Sequence, residues 1–152
     1  MIKILFICHG NICRSPMAEF VMKDMVTKAG LAEEFHIESA ATSTEEIGND
    51  VYPPAKRKLT EKGIAFTRRS ARQMTRRDYA EYDYLVGMDS ANIRNMRRIA
   101  GGDDEGKISL LLDHSGSGRD VADPWYTGDF EATYRDVTEG CRALLKKITC
   151  DK

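Results

Sequence analysis

The feature that most restricts the fold of this chain is its first thirty residues, in which an apolar run passes through a short polar loop into a helix. Ile2-Lys3-Ile4-Leu5-Phe6-Ile7 is short, β-branched and aromatic, the composition of a buried strand. The loop Cys8-His9-Gly10-Asn11-Ile12-Cys13-Arg14-Ser15 follows. Ser15-Pro16 then read as a helix start, with Ser as the N-cap and Pro at a position that has no use for its missing N–H. Met17, Phe20, Val21 and Met25 recur at helical spacing, and Lys28-Ala29-Gly30 close the segment with a cation and a terminal Gly. Strand, loop and helix in that order aim the loop at a helix N-terminus, whose unpaired N–H groups and positive dipole end favour an anion.

The rest of the chain repeats the alternation. Residues 35–42 read as a second strand, Pro54 to Lys62 as a helix closed by Gly63, Asp83 to Met88 as a third strand and Lys107 to Asp113 as a fourth. Thr75 with Asp78 opens a short helix, and Asp89 caps another that carries Ile93, Met96 and Ile99 and stops at Gly101-Gly102. A long Gly-rich loop runs to about Gly128. The last helix puts Phe130, Tyr134, Val137, Cys141, Leu144, Leu145 and Ile148 on one face, so Cys141 belongs to the core and Cys150 to a frayed tail. The pattern predicts an α/β fold: a single-domain, open four-stranded parallel sheet with helices on both faces and an anion-binding loop after the first strand. At 152 residues with 41% hydrophobic content, one domain spanning 1–152 is expected, without repeat or linker.

The loop chemistry narrows the anion to phosphate. A thiol near its reference pKa of roughly 8.5 is a weak nucleophile at neutral pH, but a helix N-terminus and a nearby Arg lower it to about 3.5–7.5. Cys8 has both. Arg14, six positions on, binds two equatorial phosphate oxygens with its planar fork and can follow them as a phosphoryl group flattens during in-line displacement. Gly10 and Asn11 tolerate left-handed backbone, which lets successive loop N–H groups point inward. Ser15 has a second possible role, a hydrogen bond to the Cys8 sulfur. A lone Cys at a strand end is ordinarily a small buried hydrophobe, but here loop, Arg and helix start coincide. A nucleotide P-loop does not match, because Gly10 has neither the second Gly nor the Lys, which argues against ATP or GTP as the ligand. Cys8 and Cys13, with four residues between them and no second Cys/His pair nearby, do not read as metal ligands.

Ligands of open parallel sheets bind beyond the carboxyl ends of the strands, which places the loop after the fourth strand on the same rim as Cys8. That loop carries Asp123-Pro124-Trp125-Tyr126. Together these segments resemble the low-molecular-weight protein tyrosine phosphatases over nearly the whole chain. Phe6 to Pro16 is similar to the family's signature loop, Ser39-Ala40-Ala41-Thr42-Ser43 to its second loop, and Asp123 to Tyr126 to its acid loop. The resemblance implies a cofactor-independent phosphomonoesterase that forms a Cys8 phosphothioester on phosphotyrosine or aryl phosphates. It assigns Arg14 to the phosphate and transition state, and Asp123 to general acid and then base catalysis. His9, Gly10, Asn11, Ile12, Cys13 and Ser15 would form the cradle, Ser39 would support Asn11, and Trp125 and Tyr126 would wall the substrate cleft. Two positions depart from the family. Glu45 stands where many relatives carry Tyr or Trp beside the substrate ring, and Arg69 where many carry a His that braces the signature loop. Arg68, Arg69, Arg72, Arg76 and Arg77 otherwise read as a solvated basic face.

Lys and Arg number 23 against 24 Asp and Glu, so net charge gives no reason to expect nucleic acid or an anionic membrane. No apolar stretch reaches about 18 residues, and the apolar start lacks a basic n-region, so neither membrane insertion nor a signal peptide is expected. Four cysteines without such targeting fit a reducing cytoplasm. The expected partners are a phosphotyrosine-containing protein or peptide, with inorganic phosphate as product and inhibitor. Neither His36 nor His114 has a recognisable partner for metal binding or nucleophilic catalysis. Three rival readings are weaker. An arsenate reductase needs resolving cysteines, and residues 14–140 contain none. Phosphoarginine phosphatases carry Thr where Ile12 stands, and a silent phosphate-binding module would lack the nucleophile, the Arg or the acid.

Overall fold

A computed structural model describes residues 1–150; Asp151 and Lys152, the end of the expected domain, lie outside the described residues. Four strands, β1 (Ile2–Cys8), β2 (Phe35–Ala41), β3 (Tyr84–Gly87) and β4 (Ile108–Leu110), form one parallel sheet in the order β2-β1-β3-β4. Among the described residues six α-helices accompany them: α1 (Arg14–Lys28), α2 (Pro53–Glu61), α3 (Arg76–Glu81), α4 (Ser90–Ala100), α5 (Pro124–Thr127) and α6 (Phe130–Cys150).

β1 is the spine. Ile4 and Phe6 join Met17, Val21, Val137 and Leu144 in a core shared with α1 and α6, while Leu5 and Ile7 join Met74, Tyr82 and Met96 on the other side. Burial on both faces is why this strand is continuously apolar rather than alternating. Since β2 lies on one side of β1 and β3 on the other, the strand order reverses at β1, and the crevice beyond its carboxyl end is where such sheets hold ligands. The loop after Cys8 sits there.

Several local expectations hold. Thr75 with Asp78 and Asp89 with Asn92 form capping boxes at the starts of α3 and α4. Met17, Phe20 and Val21 are buried, with Met25 packed at the edge of the same core. Others are corrected. The fourth strand, expected over 107–113, is three residues long, and Leu111–Ser115 form a 3₁₀ turn. Leu111 and Leu112 are fully buried, and Leu111 presses so closely on Gly140 of α6 that a Cβ there would lie 2.4 Å from its Cγ. Packing on α6 thus overrides the extended pattern. The loop expected to run to Gly128 is interrupted by α5, one turn capped by the Asp123 carboxylate. Cys150 is the last residue of α6, not part of a frayed tail. Helix α1 begins at Arg14 with Cys13 in the cap position, so Ser15 is not an N-cap but a buried residue of the first turn. Pro16 still falls among the first four residues, where no intrahelical donor is required.

Candidate active site

The loop from Cys8 to Arg14 is built around two side chains. The first is Cys8, buried at the end of β1, whose Sγ accepts from the backbone N–H groups of Asn11 (3.3 Å) and Ser15 (3.4 Å) and lies 3.0 Å from Ser15 Oγ. The second is Asn11, whose φ of 60° makes it the only non-glycine residue with positive φ among those described. That left-handed turn swings its N–H toward the sulfur. Its fully buried amide holds the loop from below: Nδ2 donates to Ser15 Oγ (2.8 Å) and Ser39 Oγ (2.9 Å), while Oδ1 accepts from Arg69 Nη2 and the Arg72 N–H (3.3 Å). Ser39 in turn donates to Glu19 Oε1 (2.6 Å). Gly10 does not adopt the left-handed conformation expected of it. What its missing side chain supplies is space, since a Cβ there would lie 3.3 Å from Glu46 Cγ.

Arg14 is only 3% exposed and is fixed by two carboxylates. Nη1 donates to Asp89 Oδ2 (2.8 Å) and to the Val121 carbonyl (3.4 Å), and Nη2 lies 3.4 Å from Asp123 Oδ2. Burial alone would lower its pKa, but Cys8, Asp123 and Asp89 outweigh that and hold it above the ordinary arginine value. It is a permanent cation. Asp123 also accepts the Trp125 N–H through Oδ1 (3.1 Å), which ties the carboxyl to the first turn of α5.

A cleft of about 410 Å³ opens above this floor. Cys8, His9, Gly10, Ile12, Cys13 and Arg14 line its base, Asp123, Trp125 and Tyr126 one wall, and Glu45 and Glu46 another. Trp125 and Tyr126 are 56% and 85% exposed. Glu45 faces the cleft and pairs with His9 Nε2 (2.7 Å) at the solvent-exposed rim. Asn11, Ser15 and Ser39 are buried around the loop, outside the cleft lining. Cys13 has its thiol pKa pushed up to about 12, by burial first and then by charge on Cys8 and Asp123.

Sequence reasoning missed three parts of this arrangement. Asp89 reads as a helix cap, yet its second oxygen holds Arg14. Its place just after β3, on the same rim as Cys8, was the available signal. The basic run is only partly a solvated face: Arg68, Arg76 and Arg77 are exposed, whereas the Arg69 guanidinium and the Arg72 backbone N–H meet Asn11, and the Arg72 guanidinium forms a two-pronged pair with Asp78 at 2.9 and 3.2 Å. Glu19 reads as a polar helix position but is a buried acceptor for Ser39 and Lys23. Among the described residues, no cluster of three or more His, Cys, Asp or Glu side chains is arranged to hold a metal.

The family model for low molecular weight phosphotyrosine protein phosphatases matches residues 3–152. The chain belongs to this family. Its members are phosphoric monoester hydrolases with a cysteine-based mechanism, and Cys8 and Arg14 of this phosphatase occupy the expected loop positions. It is similar to the low molecular weight protein-tyrosine-phosphatase YfkJ of Bacillus subtilis, with 39% identity over all of this chain and 99% of the relative. The crystal structure of YfkJ superimposes with a TM-score of 0.96, covering 100% of this chain and 97% of that one. The human low molecular weight phosphotyrosine protein phosphatase is 38% identical over 95% of this chain and 94% of its own. A Drosophila arginine phosphatase shares the fold at 27% identity and a TM-score of 0.90, covering 99% of this chain and all of that one.

Proposed function

We propose that this phosphatase hydrolyses phosphotyrosine and aryl phosphate monoesters with Cys8 as nucleophile, Arg14 as phosphate and transition-state clamp, and Asp123 as general acid and base. The observation that carries this reading is the convergence of two backbone N–H groups and the Ser15 hydroxyl on the Cys8 sulfur, beside an Arg14 held between Asp89 and Asp123. Donors facing the sulfur stabilise it as an anion, both before attack and when it leaves.

The chemistry runs in two displacements. The Cys8 sulfur attacks phosphorus, forming the S–P bond as the P–O bond to the phenol breaks, while the protonated Asp123 carboxyl gives its proton to the departing oxygen. Asp123, now a carboxylate, accepts a proton from water. The water oxygen attacks phosphorus, the S–P bond breaks, and inorganic phosphate leaves with the Cys8 anion restored. The planar Arg14 fork meets the equatorial oxygens in both steps.

The substrate is a phosphotyrosine-containing protein or peptide, its ring lying against Trp125 and Tyr126 with Glu45 opposite. Ile12, where phosphoarginine phosphatases carry Thr, favours tyrosine. Residues 1–152 act as one phosphatase domain in a reducing cytoplasm, without cofactor or nucleic acid. Among the described residues no helix is long and apolar enough to cross a membrane.

The test is a substrate panel with the wild type and Cys8→Ser. Wild-type protein turns over p-nitrophenyl phosphate and phosphotyrosine in preference to phosphoarginine, and does not reduce arsenate. Cys8→Ser loses turnover but still binds vanadate, because the backbone cradle and Arg14 remain. Substantial turnover by Cys8→Ser excludes the covalent route.

A further inference from the structure

We propose that Tyr52 is a positioning residue for Asp123, holding the acid loop over the phosphate-binding loop through its ring contact with Trp125. The inference rests on the phosphatase reading above. Tyr52 precedes α2, and its N–H donates to the carbonyl of Ile12 at 2.9 Å, so its backbone is anchored to the phosphate-binding loop itself. Pro53 and Pro54 follow immediately and restrict the backbone there. The half-buried Tyr52 ring packs with Ile12, Cys13 and Ala71. Its other neighbours belong to the acid-loop side: the Trp125 ring, 5.1 Å away and tilted at 54°, and the Phe130 ring, stacked at 6.3 Å. Both spacings lie in the range of favourable aromatic pairs.

Trp125 is two residues from Asp123 and donates its N–H to Asp123 Oδ1. A continuous path therefore runs from Ile12 through Tyr52 and Trp125 to the carboxyl, made of two hydrogen bonds and one ring contact. Tyr52 stands behind the wall and does not line the cleft, so it does not touch the substrate and acts only through Trp125. A general acid works only within reach of the oxygen it protonates, so loosening Trp125 lowers the fraction of encounters in which Asp123 is in place.

Two measurements decide the matter. Trp125 is the only tryptophan, so emission and anisotropy report its surroundings directly. In Tyr52→Ala the emission shifts to the red and the anisotropy falls, while Tyr52→Phe, which keeps the ring, matches the wild type. Tyr52→Leu keeps apolar bulk toward Ile12 and Ala71 and takes the place of Tyr52→Ala if that variant does not fold. For kinetics, kcat/KM on phenyl phosphate falls about tenfold in Tyr52→Ala, short of the about 10²–10⁴ expected of a missing acid. On dinitrophenyl phosphate, whose leaving group needs no proton, it changes less than twofold. In an Asp123→Asn background Tyr52→Ala adds no further loss, and Tyr52→Phe restores the wild-type dependence on leaving group. An unchanged Trp125 signal, an equal loss on both esters or a full additional loss in the double variant overturns the proposal. A wild-type protein with no turnover of either ester defeats the phosphatase reading instead, and the fluorescence comparison still decides whether Tyr52 holds the loop.

Discussion

The Arg69 guanidinium donates to the side-chain oxygen of Asn11, the residue whose left-handed backbone turns the phosphate-binding loop, across 58 positions of sequence. With the Arg72 N–H as second donor and Ser15 and Ser39 on the nitrogen, the Asn11 amide is fully bonded. Burial lowers the Arg69 pKa, opposed by the charges of Glu19, Cys8 and Asp50. Arg69→Ala leaves the Asn11 oxygen short of one donor, a loss of about 1–3 kcal/mol. The expected outcome is a lower melting temperature together with weaker inhibition by inorganic phosphate. If both are unchanged, Asn11 is held adequately by its remaining three partners.

Asp123→Asn is expected to lower the rate by about 10²–10⁴, the usual contribution of a general acid. The deficit shrinks as the phenol becomes more acidic, because the P–O bond then breaks without help. A series of aryl phosphates spanning phenol to dinitrophenol measures this. A deficit independent of the leaving group would remove Asp123 from the role of proton donor.

At the cleft rim, Glu45 supplies a charge where a ring would otherwise face the substrate, and Glu46 beside it adds a second. Glu45→Tyr should lower KM for aryl phosphates roughly two- to tenfold, the equivalent of about 0.5–1.5 kcal/mol for an aromatic contact, with kcat little altered. The same two carboxylates should favour peptides with a Lys or Arg near the phosphotyrosine. Comparing matched peptides with basic and acidic flanks checks this, and indifference to the flanks together with an unchanged KM would count against it.

Cys13 sets a pH dependence. Its folded pKa of about 12 lies well above an ordinary thiol, so the neutral form is the one the fold stabilises. That contribution is complete at neutral pH and is lost as pH rises from the unfolded thiol value, roughly 8.5, toward 12. At pH 7 iodoacetamide should modify Cys8 and the exposed Cys150 and spare Cys13, whose labelling rises about tenfold per pH unit through pH 9. Mild peroxide should oxidise Cys8 first, and Cys13 then closes a disulfide on it that thiols reverse. Peptide mass spectrometry reads both outcomes. Rapid labelling of Cys13 at pH 7, or recovery from peroxide that is as complete in Cys13→Ser as in the wild type, would contradict them.

What the sequence revealed and what it hid have a common physical cause. β1, the loop and α1 were legible because strand period, loop residues and helical spacing are all local. Asp89 was legible as a cap for the same reason. Ser15 was misread as a cap because capping preference is a local propensity, whereas the hydrogen bond expected between its hydroxyl and the Cys8 sulfur is present; Asn11 is the partner that only the fold supplies. Leu110-Leu111-Leu112 carry no period that separates a strand from a tight turn, and the contact with Gly140 decided between them. Arg69 stood out only through the resemblance, at the position of a loop-bracing His, and Arg72 looks like any surface cation until the fold brings Asp78 to its guanidinium and Asn11 to its N–H. Tyr52 gave no signal at all, because its relation to Trp125 exists only once both loops are closed.

The strand order that places β1 between β2 and β3 has a consequence for how activity is lost. β2 brings Ser39 under the loop, and β3 leads directly into Asp89. The reactive centre is thus clamped from both halves of the sheet, and its parts lie far apart along the chain. Long-range contacts of this kind form and break cooperatively. Loosening of either β2 or β3 from β1 would silence the enzyme while most of the helices persisted, so turnover is a finer gauge of native order in this molecule than its helical content.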